Sequence, residues 1–234
     1  KTGLGADDRS GIAVVLNTAI EILERKLPHP PLTFLFVVQE EIGLHGARHL
    51  ERALLGRPGL AFNWDGSAAE KLTTAATGGY RLEIEIDGLA AHAGAAPETG
   101  ISAIAIASLA IAELVNGGWH GLIEKGEKRG TSNVGVIHGG EATNVVTDRV
   151  VLKAEARSHD RAFRKQIVDV IEKTFREAAR RVCNIDGKTG SVRFQGRLDY
   201  EAFRLANDDP SVLAAEQAVR TLGLRPHRAT SNGG

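Results

Sequence analysis

Pro31-Leu32-Thr33-Phe34-Leu35-Phe36-Val37-Val38-Gln39-Glu40-Glu41-Ile42-Gly43 is an uncharged run that ends on two adjacent glutamates. A run of that kind reads as a strand buried on both faces, the sort found in parallel sheets. Carboxylates at the exit of a buried strand are costly unless they are paired or bind metal. The glutamate pair is therefore a candidate hydrolytic metal site.

Working outward, the preceding residues repeat the design. Gly5-Ala6-Asp7-Asp8-Arg9-Ser10-Gly11 again sets adjacent carboxylates beside glycines. A helical pattern follows, Ile12 to Leu23, and the prolines of Leu27-Pro28-His29-Pro30-Pro31 end it. Downstream, Gly46–Leu55 predicts a second helix and Leu60–Trp64 a short strand, with Asp65-Gly66 at its exit. This alternation predicts a largely parallel α/β sheet. Three carboxylate clusters then fall outside strand ends, where ligands bind in such sheets.

The pattern changes near Gly78-Gly79. Tyr80–Asp87 alternates at period two, Ile101–Val115 is an alanine- and isoleucine-rich helix, and Ser132–Ile137 and Val150–Ala156 are strands. His138-Gly139-Gly140-Glu141 is the turn between those strands. Arg161–Val182 is a long amphipathic helix, and Ser191–Tyr200 alternates again. The order β-α-β-β-α-β is that of a ferredoxin-like sandwich. A helix at Val212–Leu222 and the segment Leu224–Ala229 complete the chain's pattern. The expected organisation is an α/β domain, residues 1–77 and 205–234, interrupted by an α+β domain, residues 78–204.

Composition narrows the partners. Among 234 residues, Lys and Arg number 29 and Asp and Glu 29, so charge offers no argument for nucleic acid or an anionic membrane. No apolar stretch approaches the roughly 20 residues of a membrane span. Cys183 is the lone cysteine, which excludes an internal disulfide and favours a reducing compartment. No secretory leader is visible. The chain lacks methionine, begins at Lys1 just before a glycine-rich motif and stops at Ser231-Asn232-Gly233-Gly234, so it reads as a fragment.

Taken together the motifs resemble the M20 family of dinuclear zinc peptidases and amidohydrolases, on its peptidase T (tripeptidase) side. The resemblance rests on Gly5–Gly11, Gln39–Ala47, Trp64-Asp65-Gly66, Gly88-Leu89-Ala90-Ala91-His92-Ala93-Gly94, Ala142–Val146 with Glu155–Asp160, and Ser231–Gly234. The first two motifs also resemble the M42 aminopeptidases. The Ala-His-Ala-Gly segment within a β-α-β-β-α-β insert favours M20.

The resemblance implies an α/β/α zinc-peptidase catalytic domain with an inserted ferredoxin-like βαββαβ lid and dimerisation domain. It implies two zinc ions, with cobalt or manganese as alternatives. Asp7 would bridge them, Glu41 and Asp65 would each bind one, and Glu40 would be the general base. Ligands must be deprotonated, a carboxylate has two oxygens with which to bridge, and a neighbouring carboxylate can take the proton of an activated water. The family's two ligand histidines have no matching position here. The resemblance further implies that His92 helps bind substrate and oxyanion in a partner subunit's site. Asn144 and Arg157 would hold a substrate carboxylate, Asn232 and Gly233 would add backbone donors, and the Asp7–Asp8 peptide bond would be cis.

Each feature also has a plainer reading. Asp7-Asp8 suits a helix N-terminus, Asp65-Gly66 an ordinary turn, His92 a structural histidine and Arg157 a surface cation. His45 and His49, four apart, lack the glutamate of a His-Glu-x-x-His zinc motif. The expected function is hydrolysis of a di- or tripeptide amide bond by a cytoplasmic homodimer, joined through the lid. Two rivals are an N-acyl or N-carbamoyl amino acid amidohydrolase and a non-catalytic dimerising peptide binder.

Overall fold

The computed structural model describes residues 7–41, 43–66 and 68–231. In chain order the elements are α1 (Arg9–Glu24), α2 (His45–Arg48), a 3-10 turn (Arg52–Leu55), β1 (Lys71–Ala76), β2 (Gly78–Asp87), β3 (Ala91–His92), α3 (Ala103–Asn116), β4 (Gly121–Lys125), β5 (Lys128–Gly139) and β6 (Val145–Val146). Then come β7 (Arg149–Ser158), α4 (Arg161–Arg181), β8 (Ser191–Tyr200), β9 (Phe203–Arg204), α5 (Pro210–Thr221) and β10 (His227–Ser231). The architecture is mixed α/β. The chain divides into two compact units, one of residues 1–74 with 205–229 and the other of 75–204 with 230–234.

The second unit holds the core. Its antiparallel sheet has the order β4-β5-β7-β2-β8. Ile84 sits opposite Leu152 on one side of β2 and Phe194 on the other. One face of the sheet supplies Leu82, Ile84, Ile86, Val150, Leu152, Ala154 and Ala156 to a continuous apolar cluster. Helices α3 and α4 cover it with Ile106, Ala110 and Leu114, and with Phe163, Ile167, Ile171 and Phe175. The opposite face carries ion pairs, among them Arg193–Glu85 at 2.9 Å and Arg81–Glu155 at 3.1 Å. That division is what period-two strands produce when helices cover one side only. Ser102 and Asp160 cap the two helices by accepting the N–H groups of Ala105 and of Ala162 and Phe163.

The β-α-β-β-α-β order is present, with one strand beyond it. Gly121–Lys125 forms β4 at the sheet edge, pairing Ile123 with Gly130. Its glycine flanks, Gly117-Gly118 and Gly126, read locally as loop. The pairing with β5 overrides that signal.

The first unit departs from sequence expectation in three places. Thr33–Val38, expected as a buried strand, belongs to no strand, and its large apolar side chains are 42–69% exposed. A pleated run becomes buried through flanking strands and covering helices, and among the described residues no strand pairs with this run. Leu60–Trp64 likewise forms no ladder. The helix expected over Gly46–Leu55 is instead one turn of α-helix and a separate 3-10 turn. On α1, Gly11 is the one buried residue.

Candidate metal and substrate site

The acidic motifs are held by local hydrogen bonding. Asp8 is the N-cap of α1, its carboxylate accepting the Gly11 N–H at 2.9 Å. This satisfies one of the free donors of the first turn and leaves Asp7 just outside the helix. The Asp7–Asp8 peptide bond is cis. The glutamate pair lies on a closed loop. The Glu40 carbonyl accepts the N–H groups of Gly43 at 3.0 Å and Leu44 at 2.8 Å, and the Val38 carbonyl accepts that of Gly46 at 2.9 Å. Gly46 has to be glycine, because a Cβ there would lie 2.6 Å from the Val38 backbone nitrogen and oxygen. Gln39 and Leu44 hold left-handed backbone on either side of the pair, an uncommon conformation for non-glycine residues.

Asp7, Asp8 and Asp65 each offer an oxygen within 4.8 Å of the others. Among the described residues this is the group of acidic and imidazole side chains placed to share an ion. The Asp65 carboxyl is pushed up by desolvation first, then by a hydrogen bond with Asp7 and the charges of Asp7, Asp8 and Glu41. Glu40 is pushed up by desolvation first, then by Glu41, Asp65, Asp7 and Asp8. The charges of Asp7, Asp8 and Glu41 thus reach both Asp65 and Glu40. The all-oxygen donor set of Asp7, Asp8 and Asp65 suits a divalent cation.

Two differences from the sequence reading stand out. Asp8, given no place among the ligands, joins the tight group, while Glu41, expected as a ligand, lies outside it and acts through its field. His45 and His49 stack on each other at 6.4 Å.

In the second unit, His92 and Asn144 come together. His92 on β3 pairs with Val145 of β6, and the Ala93 N–H donates to the Asn144 carbonyl at 2.8 Å. Both side chains are exposed. Arg157 sits at the far end of β7, opposite Thr131 of β5. From Arg149 to Arg157 the strand spans about 26 Å at the usual rise. Arg157 thus lies at the opposite end of β7 from Arg149, the residue that opens the strand. The Arg157 guanidinium also engages Glu155, through Nε at 3.0 Å and Nη2 at 3.1 Å. That partner raises its affinity for the proton, although burial opposes the effect. Asn232 and Gly233 lie outside the described residues.

Comparison with known proteins bears on this geometry. The family profile of the M20 peptidase dimerisation domain matches residues 74–183. That of the M42 glutamyl aminopeptidases matches residues 2–79. A tripeptidase from Staphylococcus aureus superposes with a TM-score of 0.87 at 34% identity, over 99% of this chain and 58% of that one. Residues 74–183 thus match the M20 dimerisation domain, and the chain as a whole is similar to the M20 peptidases. Its likeness within them is to the peptidase T side: the aminopeptidase PepT of Bacillus cereus superposes with a TM-score of 0.81 at 33% identity, over 99% of this chain and 58% of its own. The uncharacterized protein YqjE of Bacillus subtilis is 33% identical over 234 residues, all of this chain and 59% of that protein. The chain thus spans less than two thirds of the length of the relatives it matches. No helix among its described residues is long and apolar enough to cross a membrane.

Proposed function

We propose that this protein is a metal-dependent peptidase that hydrolyses short peptides at a site built on residues 1–77 and 205–234, with residues 78–204 as its lid. The observation that carries the reading is the convergence of Asp7, Asp8 and Asp65 within 4.8 Å, in the shared field of Glu40 and Glu41. Asp7, Glu41 and Asp65 would hold the metal, Asp7 between two ions and the other two with one each, and zinc is the expected metal, with cobalt or manganese as alternatives. When bound, the metal pair polarises the scissile carbonyl and acidifies the attacking water. Glu40, next to a ligand in sequence but outside the ligand set, takes that water's proton on its carboxylate and delivers it to the leaving amine.

His92 and Asn144 act on substrate as one unit, because the strand pair β3–β6 binds them together. His92 serves the oxyanion and Asn144 the carboxylate end of the peptide. Arg157, at the opposite end of β7 from Arg149, contributes from a second copy. The protein works as a homodimer through the lid on this reading, and the cytoplasm is its place. Asn232 and Gly233 add backbone donors to the substrate.

The test uses the full-length protein. Glu40→Gln should lower kcat against a tripeptide by about a thousandfold while metal content, read by elemental analysis, stays at the wild-type level. Normal turnover in that variant would overturn Glu40 as the base. A wild-type protein that cleaved N-acyl amino acids and no tripeptide would overturn the substrate class.

A further inference from the structure

Gly11 is the one fully buried residue of α1, and its surroundings leave no room for a side chain. A Cβ there would lie 2.1 Å from the Trp64 backbone oxygen and 2.5 Å from both carboxylate oxygens of Asp8. Trp64 immediately precedes Asp65 in the chain. The Gly11 N–H donates to Asp8 Oδ1 at 2.9 Å. Three pieces of backbone therefore meet at one Cα: the Asp7–Asp8 turn, the first turn of α1 and the Trp64–Asp65 segment. They are the same pieces whose carboxylates converge within 4.8 Å.

We propose that Gly11 is a positioning residue for the metal site. Its missing side chain lets the Trp64 carbonyl seat against α1, which sets Asp65 beside Asp7. Asp8 completes the device as an acceptor for the Gly11 N–H, holding the turn rather than ligating the ion. The inference rests on the reading of Asp7 and Asp65 as ligands. It makes a distinction that local helix chemistry does not. Alanine is a better helix former than glycine, so a purely local role for Gly11 predicts that Gly11→Ala leaves the site intact. Asparagine caps helices as well as aspartate does, so an acceptor role for Asp8 survives Asp8→Asn but not Asp8→Ala.

The measurement is Zn2+ affinity by competition with a chromogenic chelator, in the full-length protein, with circular dichroism to check folding. Gly11→Ala, Asp8→Ala and Asp65→Asn should each weaken Zn2+ binding at least tenfold, and Asp8→Asn should stay within threefold of wild type. Wild-type affinity in Asp65→Asn would sink the ligand reading itself. With that reading intact, wild-type affinity in Gly11→Ala would overturn the role of Gly11. Equal losses in Asp8→Asn and Asp8→Ala would make Asp8 a ligand and overturn its part. Should Gly11→Ala not fold, the Asp8 pair decides: rescue by asparagine supports the device and no rescue overturns it.

Discussion

The two units of this chain use similar amounts of apolar sequence to opposite effect. In the lid, Phe163, Phe175, Ile84 and Ile171 vanish between one sheet face and two helices. In the unit that carries the acidic cluster, Phe34, Phe36, Val38 and the apolar positions of α1 stay open. Hydrophobic content alone does not make a core. In the lid, β4, β5 and β7 pair as neighbours in sequence, β2 and β8 close the sheet from the two ends of the stretch, and the helices return over it. In the first unit, Thr33–Val38 has the same type of residues and pairs with no strand among the described residues.

The contrast can be broken by substitution in this chain. The largest effect belongs to Phe175→Ala, which empties a fully buried site that also meets Phe194 edge-on. It should cost about 3–5 kcal/mol in denaturant unfolding followed by a probe in the lid. A loss below about 1 kcal/mol would mean that the lid core is looser than its packing indicates.

A smaller effect is expected at Glu201. The nearly buried Arg164 guanidinium donates to its carboxylate at 2.6 Å. That bond first, and the Ala202 N–H and Arg161 after it, hold Glu201 below the usual range against the opposing effect of burial. A depressed carboxylate stabilises the fold above the ordinary glutamate value of about 4.3, and that contribution is lost as pH falls through the lower folded value. Glu201→Gln should therefore flatten the acid side of the stability profile, by less than about 1 kcal/mol because the pair is open to solvent on one side. An unchanged acid limb in stability measured from pH 7 down to pH 3 would show that the pair contributes nothing to it.

The smallest effect is the sharpest comparison. Phe36, 53% exposed in the uncharged run, should tolerate Phe36→Ala within about 0.5 kcal/mol in this chain. A cost comparable to that of Phe175→Ala would mean the run is packed after all, and the contrast between the units would fall.

The lid was legible because its signals are local. Period two in Tyr80–Asp87, the three-and-four spacing of Phe163, Ile167, Ile171 and Phe175, and the caps Ser102 and Asp160 each act within one element. The acidic motifs were legible for a related reason: adjacent carboxylates beside glycines carry a cost wherever the chain places them. Not all that was illegible was distant: Gly121–Lys125 pairs with β5 in a tight hairpin, Lys125 opposite Lys128, which its glycine flanks concealed. Other features depended on distant partners. The Trp64 carbonyl against Gly11 placed Asp65 among Asp7 and Asp8, and made Asp8 part of the group.

By itself, then, the sequence determined the element order of the lid, the family likeness and the identity of the acidic residues. The tertiary structure alone decided which carboxylates meet, that Arg157 turns to Glu155 at the far end of β7 from Asn144, and that Thr33–Val38 stays exposed. The reason is physical. Periodicity and capping are properties of neighbours along the chain, whereas burial and ligand convergence are set by segments far apart in sequence, whose approach no single stretch encodes.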